Sequence, residues 1–178
     1  MPRIIHGLAM PFNEWIVDPA ITYSMRLRPG AYTDAITRTD QPMRLTCFDH
    51  AYSLDQWETC ELASVAAGTL RYWEEPHGLM FEATLGDLDP NGRVYQLIKR
   101  AWVTRCCLDL GKGDFPVGAQ VEILRMPHIS DLALLLIGTA HARGTYVRIG
   151  PAPAPLPFTG RPRPDLEGDH LLYRLVAG

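Results

Sequence analysis

Short apolar runs, each closed off by Gly, Pro, Asn or Asp, set the rhythm of this chain. "RIIHGLAM" ends at the turn residues "PFNE"; "ITYSMRL", "MRLTCF", "VAAGTLRYW", "GLMFEATL", "WVTRCCLDL", "AQVEILRM" and "DLALLLIG" follow. Runs of this kind predict strands, and their spacing predicts an antiparallel barrel or sandwich. Two stretches break the pattern. "PGAYTDAI" reads as a brief helix with Pro29 just ahead of it. In "DPNGRVYQLIKRAW", Val94, Leu97, Ile98 and Trp102 recur at helical spacing, with Arg93, Gln96, Lys99 and Arg100 on the other face. That predicts a helix over about 92–101. The sum is a β-rich α+β domain over residues 1–150, not a βαβ succession.

From Gly150 the pattern changes. "GPAPAPLPFTGRPRP" is dense in proline, which fixes φ and removes donors, so 151–164 is expected to run extended. The end, "DLEGDHLLYRLVAG", clusters Leu171, Leu172, Leu175 and Val176. Residues 151–178 are therefore read as a proline-rich C-terminal extension. It either packs back on its own domain or docks on a partner.

Composition narrows the function classes. The chain has 178 residues, 47% hydrophobic and 21% charged, with a net charge of −3. Its cations are scattered rather than run together, so no electrostatic grip on nucleic acid is expected. No run approaches the ~20 apolar residues a membrane-crossing helix needs, and no membrane association is expected. The opening "MPRIIHGLAMPFNEW" lacks the apolar core of a signal peptide, so the cytoplasm is the default expectation. The four cysteines, Cys47, Cys60, Cys106 and Cys107, have neither zinc-site spacing nor disulfide-scaffold density. Four reduced thiols and no cofactor are expected.

Adjacent Cys106 and Cys107 raise the chemical question. Neighbours on a strand point to opposite faces, so only one thiol can face a given cleft. A cysteine is by default a small core residue. His50, where "MRLTCFDHAYS" leaves its strand for a turn, reads as a turn residue capping backbone groups.

Five segments in order carry a family resemblance. "HGLAMPFNEW" looks like an opening G-x-A-x-P-F-N, and "RLRPGAYTDAI" like an I-x-P-G-A-F helix entry. "PHGLMFEATL" is similar to a D-x-G-L-x-F-x-A-x-L hairpin, and "GRVYQLIKRAWV" to a helix leading into a nucleophile strand. "LRMPHISDLALLLIG" supplies a final strand behind an Arg- and His-bearing loop. From about Gly7 to about Ile149 the chain thus resembles the capsid-maturation (prohead) proteases of tailed phages, relatives of the herpesvirus assembly proteases. The resemblance implies an antiparallel, barrel-like herpesvirus-protease fold with short flanking helices.

It also implies a site. The base histidine of the family's N-H-D falls on His50, between Asp49 and Ala51. The nucleophilic serine of S-x-G-F falls on Cys107, with Leu108, Asp109 and Leu110 behind it. The third-member acid falls on Leu134. A thiol with a free pKa near ~8.5 needs less activation than a hydroxyl, so a Cys107–His50 dyad is chemically consistent with losing the acid. Asp109, where the family has glycine, works against a developing oxyanion, and Arg125 is the candidate to offset it. His128 and His141 are candidate replacements for the acid, each otherwise a surface loop histidine. Two functions stay open: a diverged, inactive paralogue acting as an assembly and interaction module, and a thiol endopeptidase. Either implies capsid or scaffold proteins as partners, a possible homo-oligomer, and a place in the host cytoplasm or the capsid interior.

Overall fold

The computed structural model describes residues 2–17, 22–38, 43–48, 60–86, 89, 92–108, 115–129, 131–136, 144–158 and 171–176. Strands hold 50% of the described residues and helices 9%. Among the described residues twelve strands form three open four-stranded sheets.

The first sheet has the order β11-β1-β7-β6, from β11 (Tyr146–Ile149), β1 (Arg3–Pro11), β7 (Gly78–Leu85) and β6 (Leu70–Glu75), all antiparallel. Alternation sorts its faces: Ile5, Ala9, Leu79, Phe81, Ala83 and Leu85 are buried inward, while His6, Glu82 and Arg71 share one cross-strand row outward. Gly7 has to be glycine, because a Cβ there would collide with the carbonyl oxygen of Tyr146.

The second sheet has the order β5-β4-β10-β8, from β5 (Cys60–Ser64), β4 (Arg44–Phe48), β10 (Asp131–Leu136) and β8 (Val103–Leu108). Its edges touch the first sheet, β8 against β1 and β11 and β5 against β6 and β7. The third sheet, β12-β9-β3-β2, comprises β12 (Leu172–Leu175), β9 (Gln120–Arg125), β3 (Ser24–Leu27) and β2 (Ile16–Val17). A main-chain bond ties it to the chain just after β1, the N–H of Asn13 donating to Leu27 O (2.8 Å), while that of Met126 to Ala31 O (2.7 Å) continues the β3–β9 pairing. One hydrophobic core runs through all three sheets, centred on residues such as Tyr32, Leu45, Phe81, Ile123 and Leu132.

The strand-rich α+β class is what the chain folds into, with three sheets that are open among the described residues. Two finer expectations are corrected. Pairing is not wholly antiparallel: β10 runs parallel to β4, and β3 parallel to β9. Parallel neighbours need long crossovers, which short-range turn signals do not reveal. The runs forming β2, β5, β11 and β12 carry no strand signal of their own, being short or weakly alternating. "PGAYTDAI" is mostly turn, with a single 3-10 turn at Ala35–Thr37.

The expected helix forms as α1 (Arg93–Lys99), with Val94 and Ile98 buried and Leu97 packed on the core. Its start is capped from outside the helix. Asp89, 1% exposed, accepts the N–H groups of Val94 (2.9 Å) and Tyr95 (3.1 Å), two donors the helix itself leaves unpaired. Its end explains why Trp102 is exposed rather than on the helix's packing face. Trp102 N–H donates to Leu97 O and Ala101 N–H to Ile98 O, both 2.9 Å, with Ala101 at φ 57°. That is a Schellman termination, with alanine in the left-handed position usually held by glycine.

The chain leaves β11 and folds over the outside of the first sheet. Gly150 N–H donates to Ile4 O (2.8 Å), and Ala152 N–H donates to Glu82 Oε2 (2.7 Å). The buried His6 ring donates from Nδ1 to Gly150 O (2.8 Å), since a carbonyl only accepts. Residues 151–158 lie in no helix or strand, as their prolines require, and 153–157 are exposed. The terminal leucines return as β12 on the edge of β9, packing back on the chain's own body.

Candidate functional site

Helix α1 and its tight C-terminal turn deliver the chain into β8, where the two thiols separate as strand geometry demands. Cys106 has no exposed area; its thiol donates to Leu8 O at 3.3 Å, across to the first sheet. Burial pushes its pKa well up, and the neighbouring Cys107 adds to this, so Cys106 is a packed, protonated thiol. Cys107 is half-buried on the other face, with its sulfur 3.7 Å from Leu108 O. Neither is in a disulfide.

Ladder register sets each thiol's neighbours. Cys106 stands opposite Leu134, which is also fully buried, and Cys107 stands opposite Ala133. Leu134, the position the resemblance gives for the third member, therefore faces the core with Cys106. A carboxylate there would point away from Cys107. The row on Cys107's own face continues through Ala133 to Thr46 of β4 and Glu61 of β5. One residue pair along, Arg44 and Asp131 form a two-pronged ion pair, Nε–Oδ1 and Nη2–Oδ2 both 3.0 Å. Asp131 holds the Arg44 pKa above its usual value, through the hydrogen bond first and its charge second.

His50, Asp49, Asp109 and His141 lie outside the described residues, as does the Cys107–His50 relationship. Arg125 is engaged elsewhere, with Nε 2.6 Å from Asp34 Oδ2, beside the turn that follows β3. His128 is an exposed residue of the β9–β10 connection. Among the described residues no three His, Cys, Asp or Glu side chains converge as a metal site would require. Among the described residues no helix is long and apolar enough to cross a membrane.

Three polar arrangements escaped the sequence. Glu74, 6% exposed, accepts the Tyr32 N–H (3.0 Å) and the Thr33 hydroxyl (2.6 Å), clamping the turn after β3 to β6. Burial raises its pKa, more than these hydrogen bonds lower it. The hydroxyls of Tyr32 and Tyr72 are buried with no hydrogen-bond partner among the described residues, and burial raises both phenol pKa values. Glu122 of β9 has no exposed area because Arg26 of β3 and Arg174 of β12 lie over it, each in direct ion pairing, with Arg28 3.9 Å away. Desolvation pushes the Glu122 pKa up, but bonds from Arg174 and Arg26 and their charges outweigh it, and the net shift is down. Strand alternation in "AQVEILRM" signals that Glu122 faces away from Val121 and Ile123; which arginines cover it is a tertiary fact.

No family model, curated protein or solved structure matches this chain.

Proposed function

We propose that this chain is a diverged prohead-protease-like protein of phage-type capsid assembly, acting as an assembly and interaction module, with capsid or scaffold proteins as partners. On this reading its three sheets are an opened version of the herpesvirus-assembly-protease barrel, at work in the host cytoplasm or the capsid interior. Support comes from the order of the motifs on the fold: Pro29 and Gly30 open the turn into the 3-10 helix, Gly78 opens β7 behind a tight hairpin, and α1 leads straight into the strand bearing Cys107. The observation that carries the non-proteolytic version is the register around that thiol. Cys107 faces Ala133, and the aligned third-member side chain is sealed in the core opposite Cys106.

The half-buried placement of Cys107, apart from the inert Cys106, favours one alternative: a Cys107–His50 endopeptidase cleaving scaffold or capsid segments. Co-expression with the capsid and scaffold proteins of the same genome separates the two. Shells that sediment with this chain and keep their proteins intact support the module. Processing that disappears in Cys107→Ala supports the enzyme. Shells that form identically without the chain, with no processing, overturn both.

A further inference from the structure

We infer that β12 is an exchangeable strand, and that the β9 edge of a second copy of this chain is its alternative seat. The inference concerns the chain's own edge and stands whether or not capsid proteins are partners. The acceptor is a keyed slot. β9 offers a ladder from Val121 to Arg125, and Glu122 sits at its middle with Arg26 on one side and Arg174 of β12 on the other. Phe115 offers its ring to Tyr173, edge to face at 4.7 Å. These features describe what the slot selects: an aromatic residue followed by an arginine on a short strand, the sequence this chain itself supplies.

The donor is held lightly by its own body. No β12 side chain is buried; Tyr173 is 43% exposed and Leu175 55%. The attachment is made by the main-chain ladder, the Arg174–Glu122 pair, the Tyr173–Phe115 ring contact and Leu171, packed on the core just ahead of the strand, and a second copy reproduces all of them. The root of the arm, by contrast, is pinned at Gly150 and Ala152 by Ile4, His6 and Glu82. Between root and strand lie residues 153–171, with Pro153, Pro155, Pro157, Pro162 and Pro164. A chain spans at most about 3.3 Å per residue, so a connection of this length is covalently long enough to reach a second copy. Since contacts within one copy and between copies are the same, concentration sets the balance, and reciprocal exchange gives a closed two-fold dimer.

The test uses full-length chains. Arg125→Cys chains and ¹⁵N-labelled Leu172→Cys chains, whose substituted positions face each other across the ladder and leave the Arg174–Glu122 pair intact, are mixed at high concentration and oxidised with oxidised glutathione, which takes up the two electrons as the new S–S bond forms. The expected product is a peptide linking residue 125 of an unlabelled chain to residue 172 of a labelled one. The double variant, oxidised in dilute solution, should link the same positions within one chain. Linkage only within the double variant overturns exchange, and no linkage in either overturns the β9–β12 pairing on which it rests. Light scattering on the unsubstituted protein is a second reading: a dimer fraction rising with concentration and abolished by deleting 171–178 supports exchange, and a strictly monomeric protein opposes it.

Discussion

Leu134 stands directly across the ladder from Cys106, both with no exposed area, and this pairing commits Cys107 to the opposite face beside Ala133. The two thiols of one dipeptide thus have different chemistry. One is enclosed between sheets and donates to Leu8 O; the other is half-buried on the far side.

Brief iodoacetamide labelling of the folded protein should therefore modify Cys107 and spare Cys106, whose raised pKa and burial both suppress the thiolate. If Cys107 is paired with His50, labelling persists at about pH 6, where an ordinary thiol is almost wholly protonated, and falls sharply in His50→Ala. Labelling of Cys107 that is slow and indifferent to His50 retires the endopeptidase and leaves the module. Peptide mass spectrometry reads the sites together.

The register makes a sharper prediction about restoring an acid. Leu134→Glu places a carboxyl in the core with no partner, and should cost more than about 3 kcal/mol or prevent folding. Ala133→Glu, on the half-buried face beside Cys107, should cost roughly 1 kcal/mol or less. Urea unfolding compares them, and equal losses would contradict the assignment of faces.

How much of this was legible in the sequence follows from range. Val94, Leu97 and Ile98 announced α1 because helical spacing is local, and the separation of Cys106 from Cys107 followed from strand parity alone. Trp102 misled, since the same periodicity runs one residue past a Schellman turn that only a backbone angle reveals. The parallel β4–β10 and β3–β9 pairings join segments far apart in sequence, with nothing local to mark them. The same holds for Arg125, whose partner Asp34 lies on another element. For His50 the sequence supplies a role by resemblance, and its position falls outside the described residues.

Ala101 is a correctable strain. At φ 57° its Cβ crowds the following carbonyl, at a cost of about 1–2 kcal/mol that glycine avoids, offset in part by glycine's greater freedom when unfolded. Ala101→Gly should stabilise the protein by about 0.5–1 kcal/mol, seen as a higher urea midpoint with an unchanged slope.

Tyr72 carries a buried hydroxyl that bonds to nothing among the described residues. Leaving such a group unsatisfied costs about 1–3 kcal/mol, whereas Phe keeps the ring and drops the penalty. Tyr72→Phe should leave stability unchanged or raise it by about 1 kcal/mol. A loss of more than that would reveal a partner for the hydroxyl.

Glu74 and Glu122 should give opposite pH signatures. The Glu74 pKa is raised in the folded state from an ordinary 4.5, chiefly by burial, so the native protein holds this proton more tightly than the unfolded chain. Its contribution is fully present below 4.5 and is lost as pH rises towards the folded value, with a slope of at most about 1.4 kcal/mol per pH unit. Glu74→Gln keeps the shape and removes the titration. Wild type should therefore lose stability relative to this variant as pH climbs from 4.5, and level off above the folded pKa. Glu122 runs the other way. Its folded pKa is lowered because Arg174 and Arg26 outweigh its desolvation, so its contribution is present above 4.5 and lost as pH falls through the lowered value. Acidification should loosen β12 first, since Arg174 is its charged anchor, and proteolysis within 171–176 should accelerate there before the core unfolds. Glu122→Gln should abolish that acid-dependent release while leaving the Glu74 profile in place. Denaturant titrations at a series of pH values, paired with limited proteolysis of the C-terminus, read both; matching pH slopes in Glu74→Gln and Glu122→Gln would refute the assignment.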